Sequence, residues 1–402
     1  MKITESIQTE VKYQFDVLVV GGGVAGIAAA FAAARRGAKV GLVEKQFLLG
    51  GLATAGIVTI YLPLCDGMGH QVSYGLAEEL LRLSIRDGWE KDYPTAWLEG
   101  GTLEQKRDKR FEVRFNPQLF AIAVEQQLLR EGVEILYGSS ACNVITENNR
   151  ITHIIVENKS GRAAIAVQTV VDATGDADIC VMAGEQTALF QQKNVLASWY
   201  YSTGLQGYDL KMLGFADIPD EHKTEEHRRE DNKSKRFQGI DADEISQMVQ
   251  LSHASVLTDV KKKRQTDNTY FPVTIATIPQ LRMTRRLVGC STVCQHTPSD
   301  LWSDSIGIIG NWRTRGPAYE IPFSCLHGNR IRNLVTAGRC ISAEDTMWDL
   351  TRVIPACAIT GEAAGTAAAC WKDFGTVDIP VLQNMLREAG GKVFLKEFPW
   401  SE

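Results

Sequence analysis

Asp16-Val17-Leu18-Val19-Val20-Gly21-Gly22-Gly23-Val24-Ala25-Gly26 decides the fold. Asp16 to Val20 is mostly apolar and reads as a buried parallel strand. Gly21, Gly23 and Gly26 then fit G-x-G-x-x-G, and the alanine-rich run Ile27 to Ala34 reads as a helix. In such a unit the first glycine lets the chain turn sharply and the second lets the backbone approach a pyrophosphate. The third lets helix and strand pack closely. The helix amides, with Val24 and Ala25 in the first turn, then face the phosphates, where the helix dipole favours negative charge. Arg35-Arg36-Gly37 closes the helix with basic residues and a glycine cap. A second strand, Ala38 to Val43, ends at Glu44, with Lys45 beside it. A carboxylate there can accept hydrogen bonds from both hydroxyls of an adenosine ribose. An ordinary tightly packed βαβ unit would need some of these features. The full succession of strand, glycines, helix, strand and acid favours dinucleotide binding.

The remaining composition sets bounds. A chain of 402 residues can bury large cores, and its length suggests two or three domains. A net charge of −5 argues against nucleic-acid binding. Met1 to Gln14 is polar and shows no signal-peptide pattern, and no apolar run is long enough to span a bilayer. Nine cysteines without C-x-x-C spacing suggest reduced thiols in a cytoplasm. Cys290 and Cys294 would share a helix face, but with no further nearby ligands they do not predict a metal site.

A second glycine-rich loop, Gly50-Gly51-Leu52-Ala53-Thr54-Ala55-Gly56, follows the acid. Enzymes that use only nicotinamide do not need it. A flavin does, because its ribityl chain and ring extend past the first nucleotide and need close backbone approach. The bland alternative is a glycine-rich connection with no ligand. No cysteine lies between Glu44 and Gly56, which sets a disulfide reductase aside.

Farther on, Gly75 to Asp87 has a helical pattern. In the turn-rich Asp66-Gly67-Met68-Gly69-His70, His70 is either a loop acid or base near the flavin or a surface histidine in a turn. Asn116-Pro117 opens a helix over Gln118 to Glu131, and Val133 to Tyr137 reads as a strand. Cys142 to Glu147, Ile151 to Glu157 and Ala163 to Gln168 read as three short strands, and Thr169 to Asp172 as a further one. Ala173-Thr174-Gly175-Asp176 then lets the chain pass the adenosine end of a cofactor without bulk.

These motifs together resemble the FAD-dependent oxidoreductase family of the glutathione-reductase-type FAD superfamily. The resemblance rests on Gly21-Gly22-Gly23, Glu44-Lys45, Gly50-Gly51 and Asp172-Ala173-Thr174-Gly175-Asp176. Two later stretches add to it: Arg282-Met283-Thr284-Arg285-Arg286-Leu287-Val288-Gly289 and Asn333-Leu334-Val335-Thr336-Ala337-Gly338-Arg339 through Ala343. The resemblance implies one non-covalent FAD and a redox reaction, with no particular substrate. Related flavoproteins often carry an acid where this chain has Arg339, which can instead set a cation near the diphosphate.

Three stretches remain. In a helix Arg282 would share a face with either Arg285 or Arg286, and these arginines read either as a clamp for an anion or as inter-domain salt bridges. Glu221 to Arg236 is densely charged and reads as a solvated helix or mobile loop, and Lys261 to Arg264 as a helix end. In Arg352 to Gly365, Pro355 suits a first helical turn. Gly361 and Gly365, with Ala358, make a small face for close packing onto the first βαβ unit, and the helix N-terminus would aim at the flavin pyrimidine.

The expectation is an α/β protein with a Rossmann-like FAD-binding domain and an inserted α+β substrate or cap domain. The FAD domain is discontinuous, over 1–60, 106–185 and 326–375; the cap takes 61–105 and 186–325, and a helical tail 376–402. The expected reaction is hydride transfer between a small, possibly anionic, substrate and flavin N5. Arg282 and Arg285 would clamp the anion and His70 would move a proton. The electron acceptor is left open, and no second nucleotide motif supports direct NAD(P)H use. The alternative is an electron-transfer subunit that passes electrons to a protein partner.

Overall fold

The protein is described from a computed structural model that covers residues 3–214, 225, 235–294 and 302–398. Most of the charged stretch Glu221 to Arg236 lies outside the described residues. In chain order the elements that build the site are β1 (Val11–Val20), α1 (Val24–Arg35), β2 (Val40–Val43), α2 (Leu76–Ile85), α3 (Pro117–Arg130) and β3 (Glu134–Leu136). They are followed by β4 (Ser140–Glu147), β5 (Arg150–Asn158), β6 (Gly161–Asp172), β7 (Ser198–Thr203), β8 (Asp209–Leu213) and α4 (Ala242–Lys263). The last are β9 (Phe271–Ile275), β10 (Arg285–Leu287), β11 (Leu334–Thr336), α5 (Ile354–Cys370) and α6 (Ile379–Glu388).

The main sheet runs β3-β2-β1-β6-β5-β4, and β11 also pairs with β6. Neighbours in the set β3, β2, β1, β6 and β11 are parallel, in register Val20↔Val43, Val20↔Asp172 and Thr336↔Asp172. β1 starts earlier than its apolar run: Val11 already pairs with Ala164. The separate strands expected at Ala163 to Gln168 and Thr169 to Asp172 are one strand, β6. Its first half pairs antiparallel with β5 and its last residues pair parallel with β11. Along β1, Val17 and Val19 enter one core while Leu18 and Val20 enter the other, as the strand period of two requires.

One face of the sheet is covered by α1, and α1 by α5. The glycines of α5 explain how close the two helices lie. A Cβ on Gly361 would collide with the carbonyl oxygen of Ala25, and one on Gly365 with that of Ala29. Since 25 meets 361 and 29 meets 365, the two helices run in the same direction. The core that holds α5 also contains Leu76 and Leu80 of α2, Ile306 and Ile309, and Leu382 and Leu386 of α6. The last helix is therefore built into the body of the protein rather than trailing from it.

The stretch after β6 forms a second, three-stranded antiparallel sheet, β8-β7-β9. α4 covers it through Val256 and Val260, which meet Tyr200 and Tyr270. Lys261, Lys262 and Lys263 are the last turn of α4, where cations meet the negative end of the helix dipole.

The arginine-rich segment is not helical. Arg285–Leu287 is strand β10, paired antiparallel with Thr187–Leu189, and Arg282 precedes it outside any helix or strand. The residues that would align at three and four apart on a helix diverge on a strand, where neighbours point to opposite faces. Cys290 and Cys294 also lie outside any helix.

Candidate cofactor site and active site

At the carboxyl ends of β1, β2, β6 and β11 lies a cavity of about 500 Å³. This is where a doubly wound parallel sheet binds its ligands. Most of the residues expected to hold a cofactor line it: Gly21, Gly23, Val24, Ala25, Glu44, Lys45, Gly50, Gly51, Leu52, Ala53, Ala173, Thr174, Gly175, Asp176, Gly338 and Arg339. Gly26, Thr54, Pro355 and Ala358 do not line it. Gly26 packs helix against turn, since a Cβ there would strike the carbonyl oxygen of Gly21. Thr54 ties its own loop by donating to the carbonyl of Leu49. Pro355 and Ala358 are buried on other faces of α5, whose Ile354 and Cys357 reach the cavity instead.

Two helix N-termini serve this cavity. The N-cap of α1 is Gly23, with no side-chain cap and no acid in the first turn. α5 is alike: Val353 caps it without a side-chain bond, Pro355 sits in the first turn, and that turn holds no acid. The first-turn amides of both helices therefore lack intrahelical acceptors and favour an anion. Because α1 and α5 run parallel along the glycine seam, their positive ends open on the same side. Gly23 has nothing within 4 Å of a built Cβ, so any side chain there would grow into the cavity. Gly21 sits at φ +106°, where only glycine is unstrained, and a Cβ would press on Ala173.

The acids around the cavity are already organised. Glu44 accepts from the Gly22 amide at 2.6 Å and from the Gln46 amide at 2.7 Å, which fixes its carboxylate at the end of β2. Asp172 is wholly buried and accepts from the amides of Thr174 and Cys180 and from the Thr174 hydroxyl, which shapes the Ala173–Gly175 turn. Burial pushes its carboxyl above the ordinary range, against those bonds. Asp178 is pushed up to about 6 by burial and by Asp176 and Asp172.

The cations divide differently from the expectation. Arg285 does not reach the cavity. It donates to the Asp176 carbonyl at 2.8 Å and pairs with Asp178 at 2.7 Å, so it braces the turn behind the cavity wall. Arg286, on the other face of β10, pairs with Glu344 at 2.7 Å. Arg282 lies deeper, only 7% exposed, with its guanidinium 5.1 Å above the ring of Trp199. The cations that line the cavity are Lys45, Arg339 and Arg352. Arg339 donates to the Leu281 carbonyl at 2.8 Å and stands 3.3 Å from Asp176. Arg352 is held by Asp349, a fully buried acid that Arg313 binds from its other side. These two guanidinium groups keep Asp349 below the usual carboxylate range against the penalty of burial.

Sequence reasoning gave Arg352 no role, although it opens the Arg352 to Gly365 stretch, because its place at the cavity depends on Asp349 and the fold around it. It also missed the wall Thr277, Ile278, Pro279 and Leu281, which the strand β9 delivers across the cavity. His70 is off the cavity: its Nδ1 is 2.8 Å from Asp66 in a turn that Asp66 also ties through the amides of Met68 and His70.

A parallel sheet, a glycine turn opening a helix, an acid at the end of the second strand and a second helix end define a dinucleotide-cofactor protein. The chain matches the FAD dependent oxidoreductase family over residues 16–292 and 198–386, and it belongs to that family. A 71-residue stretch is 38% identical to thioredoxin reductase of Ureaplasma parvum; it covers 18% of this chain and 23% of that protein, so the match spans about a quarter of that relative. Among solved structures, p-nitrophenol 4-monooxygenase of Pseudomonas putida is 11% identical, with 94% of this chain and 85% of that chain covered and a TM-score of 0.48. A geranylgeranyl bacteriochlorophyll reductase-like protein of Thermoplasma acidophilum is 13% identical, with 94% and 82% covered and a TM-score of 0.45.

The protein is an FAD-dependent oxidoreductase. The cavity suits that cofactor by its own chemistry: glycines where side chains would fill it, two uncapped helix ends for anionic groups, and a carboxylate where a ribose would lie. Among the described residues no helix is long and apolar enough to cross a membrane.

Proposed function

We propose that this protein transfers hydride between a small organic substrate and flavin N5. Bound FAD would supply a reversible two-electron acceptor. The observation that carries the reading is the parallel pair of uncapped helix ends beside a wall from the second sheet. The α1 end would hold the diphosphate, and Glu44 the ribose. The α5 end, with Arg352, would stabilise negative charge on the pyrimidine side. Asp349 and Arg313 fix Arg352, and the wall Thr277 to Leu281 keeps water out. Arg339 acts as the cation near the diphosphate.

The proposed division keeps the FAD domain at 1–60, 106–185 and 326–375 and gives the inserted cap to 61–105 and 186–325. Nine cysteines without C-x-x-C spacing support a reducing, cytoplasmic setting. Anaerobic photoreduction of the holoenzyme, followed by mixing with small-molecule acceptors, tests the reading. Reoxidation by a small organic acceptor is the expected result. A flavin that only a protein partner can reoxidise would favour the electron-transfer subunit instead.

A further inference from the structure

α4 lies over the second sheet without closing on all of it. Its C-terminal half is seated by Val256 and Val260 against Tyr200 and Tyr270. Its other anchor is Met248, which packs with Phe237 and Leu281. Met248 and Val256 are about two turns apart, and over that length a helix stays straight. Between the anchors Val249, Ser252 and His253 line a cavity of about 290 Å³. Protein interiors pack to the density of organic crystals, so this space exists because the helix is held off at both ends. Its volume is close to the lower end of the range for small-molecule sites.

The far side of this cavity is the wall of the cofactor cavity. Thr277, Ile278 and Pro279 line both, so one segment of chain separates the two. That segment is tied twice to the second glycine loop. The Thr277 amide donates to the Ala55 carbonyl at 2.8 Å, and the Gln280 side chain donates to the Gly56 carbonyl. The same loop lines the cofactor cavity through Gly50 to Ala53. A molecule that presses on the wall from the α4 side is therefore felt where the flavin binds. His253 and Thr277 are exposed as well as lining the cavity, so it is reached from solvent.

The lining says what fits. Met248, Val249, Ile275, Ala276 and Ile278 supply apolar walls, and methionine adapts its shape to an occupant. Ser252 and His253 bring a hydroxyl and an imidazole, each able to donate or accept a hydrogen bond. Gln280 also lines the cavity, but its amide accepts from the Trp199 backbone and donates to Gly56, so it serves the fold. A charged group laid against apolar walls would lose its water. Burying a charge costs far more than burying a hydroxyl or carbonyl that finds a hydrogen bond.

We propose that the cavity between α4 and the wall is a second ligand site, beside the cofactor. It takes an uncharged, mostly apolar small molecule whose hydroxyl or carbonyl group meets His253 and Ser252. The site stands apart from the hydride reading, because binding is measured without turnover.

Titration of the FAD-loaded protein with 2-phenylethanol, followed by the flavin absorption band, tests this at equilibrium. Phenylacetate and 2-phenylethylamine carry the same apolar part and are charged near neutral pH. The alcohol is expected to shift the band saturably and to bind at least tenfold more tightly than either ion. Ser252→Trp fills the cavity from the α4 side. It should cut the alcohol affinity at least tenfold, keep one flavin per chain and melt no lower than the wild type. His253→Ala, at an exposed position, should weaken the alcohol about fivefold, the worth of one hydrogen bond, and leave ethylbenzene binding unchanged. A wild type that shows no saturable shift overturns the inference. So does an ion that binds as tightly as the alcohol, and so does full alcohol affinity in a flavin-loaded Ser252→Trp. If Ser252→Trp does not fold, His253→Ala decides: an equal effect on the alcohol and on ethylbenzene overturns the site, and a loss confined to the alcohol supports it.

Discussion

The α1–α5 seam and the Arg282–Arg286 segment invite the same reading from sequence, small or charged residues at helical spacing, and only one of them is a helix. In the seam, Gly361 and Gly365 are a turn apart and both press on backbone oxygens of α1. In the arginine segment the same arithmetic fails, because the chain runs extended and pairs with Thr187–Leu189. The seam also holds its buried charge differently. Glu362, on α5, is wholly buried but accepts from the Leu76 amide at 2.9 Å and can take up a proton, and burial pushes its pKa up to about 8. Arg282 can do neither. A buried acid escapes its cost by protonation, whereas the Arg282 guanidinium is held over the ring of Trp199.

The largest effect should come from closing the seam. Replacing both Gly361 and Gly365 by valine forces α5 off the backbone of α1 and should cost about 5 kcal/mol in urea unfolding, with flavin lost as the two helix ends part. Retention of full flavin content in a stable double variant would break the account of the seam.

Next is Asp349→Asn, which leaves Arg313 and Arg352 facing each other around a neutral group. A loss of about 3 kcal/mol is expected. Because the folded pKa of Asp349 is depressed, its contribution is present above the ordinary aspartate range and is lost as pH falls through the folded value. The wild type should therefore lose this advantage over the variant in acid, measured as converging urea midpoints.

Glu362→Gln works in the opposite direction. A raised folded pKa means that the native state holds its proton more tightly than the unfolded chain. Its contribution is full below the ordinary value of 4.5 and is lost as pH rises through about 8. The wild type should lose at most about 1.4 kcal/mol per pH unit across that window from this group. Glu362→Gln should flatten that slope, and an unchanged slope would place the titration elsewhere.

The smallest effect is expected for Arg285→Ala. Its partner Asp178 is more than a third exposed, so the pair should be worth no more than about 1 kcal/mol. Flavin content should stay at the wild-type level, since Arg285 does not line the cavity. A loss above about 2 kcal/mol in urea unfolding would mean that Arg285 holds the Asp176–Asp178 turn more firmly than a partly exposed pair can.

Much of the cofactor site was legible in the sequence, for a physical reason. A turn between strand and helix, a glycine under a phosphate and an acid at a strand end are satisfied by neighbours in the chain. Gly21, Gly23, Glu44 and Gly338 could thus be placed by local spacing alone. His70 and Arg285 could not, because the question for each is which distant group it meets. Asp66 and Asp178 answered it, and neither His70 nor Arg285 lines the cavity.

By itself the sequence determined the βαβ unit, its second glycine loop and the small face of α5, since short-range sterics leave those segments little choice. Only the tertiary structure decided that β6 is one strand shared by two partners, that α1 and α5 point the same way, and that Arg285 meets Asp178. Charge pairing acts across space over groups far apart in the chain, so no spacing along the chain records it.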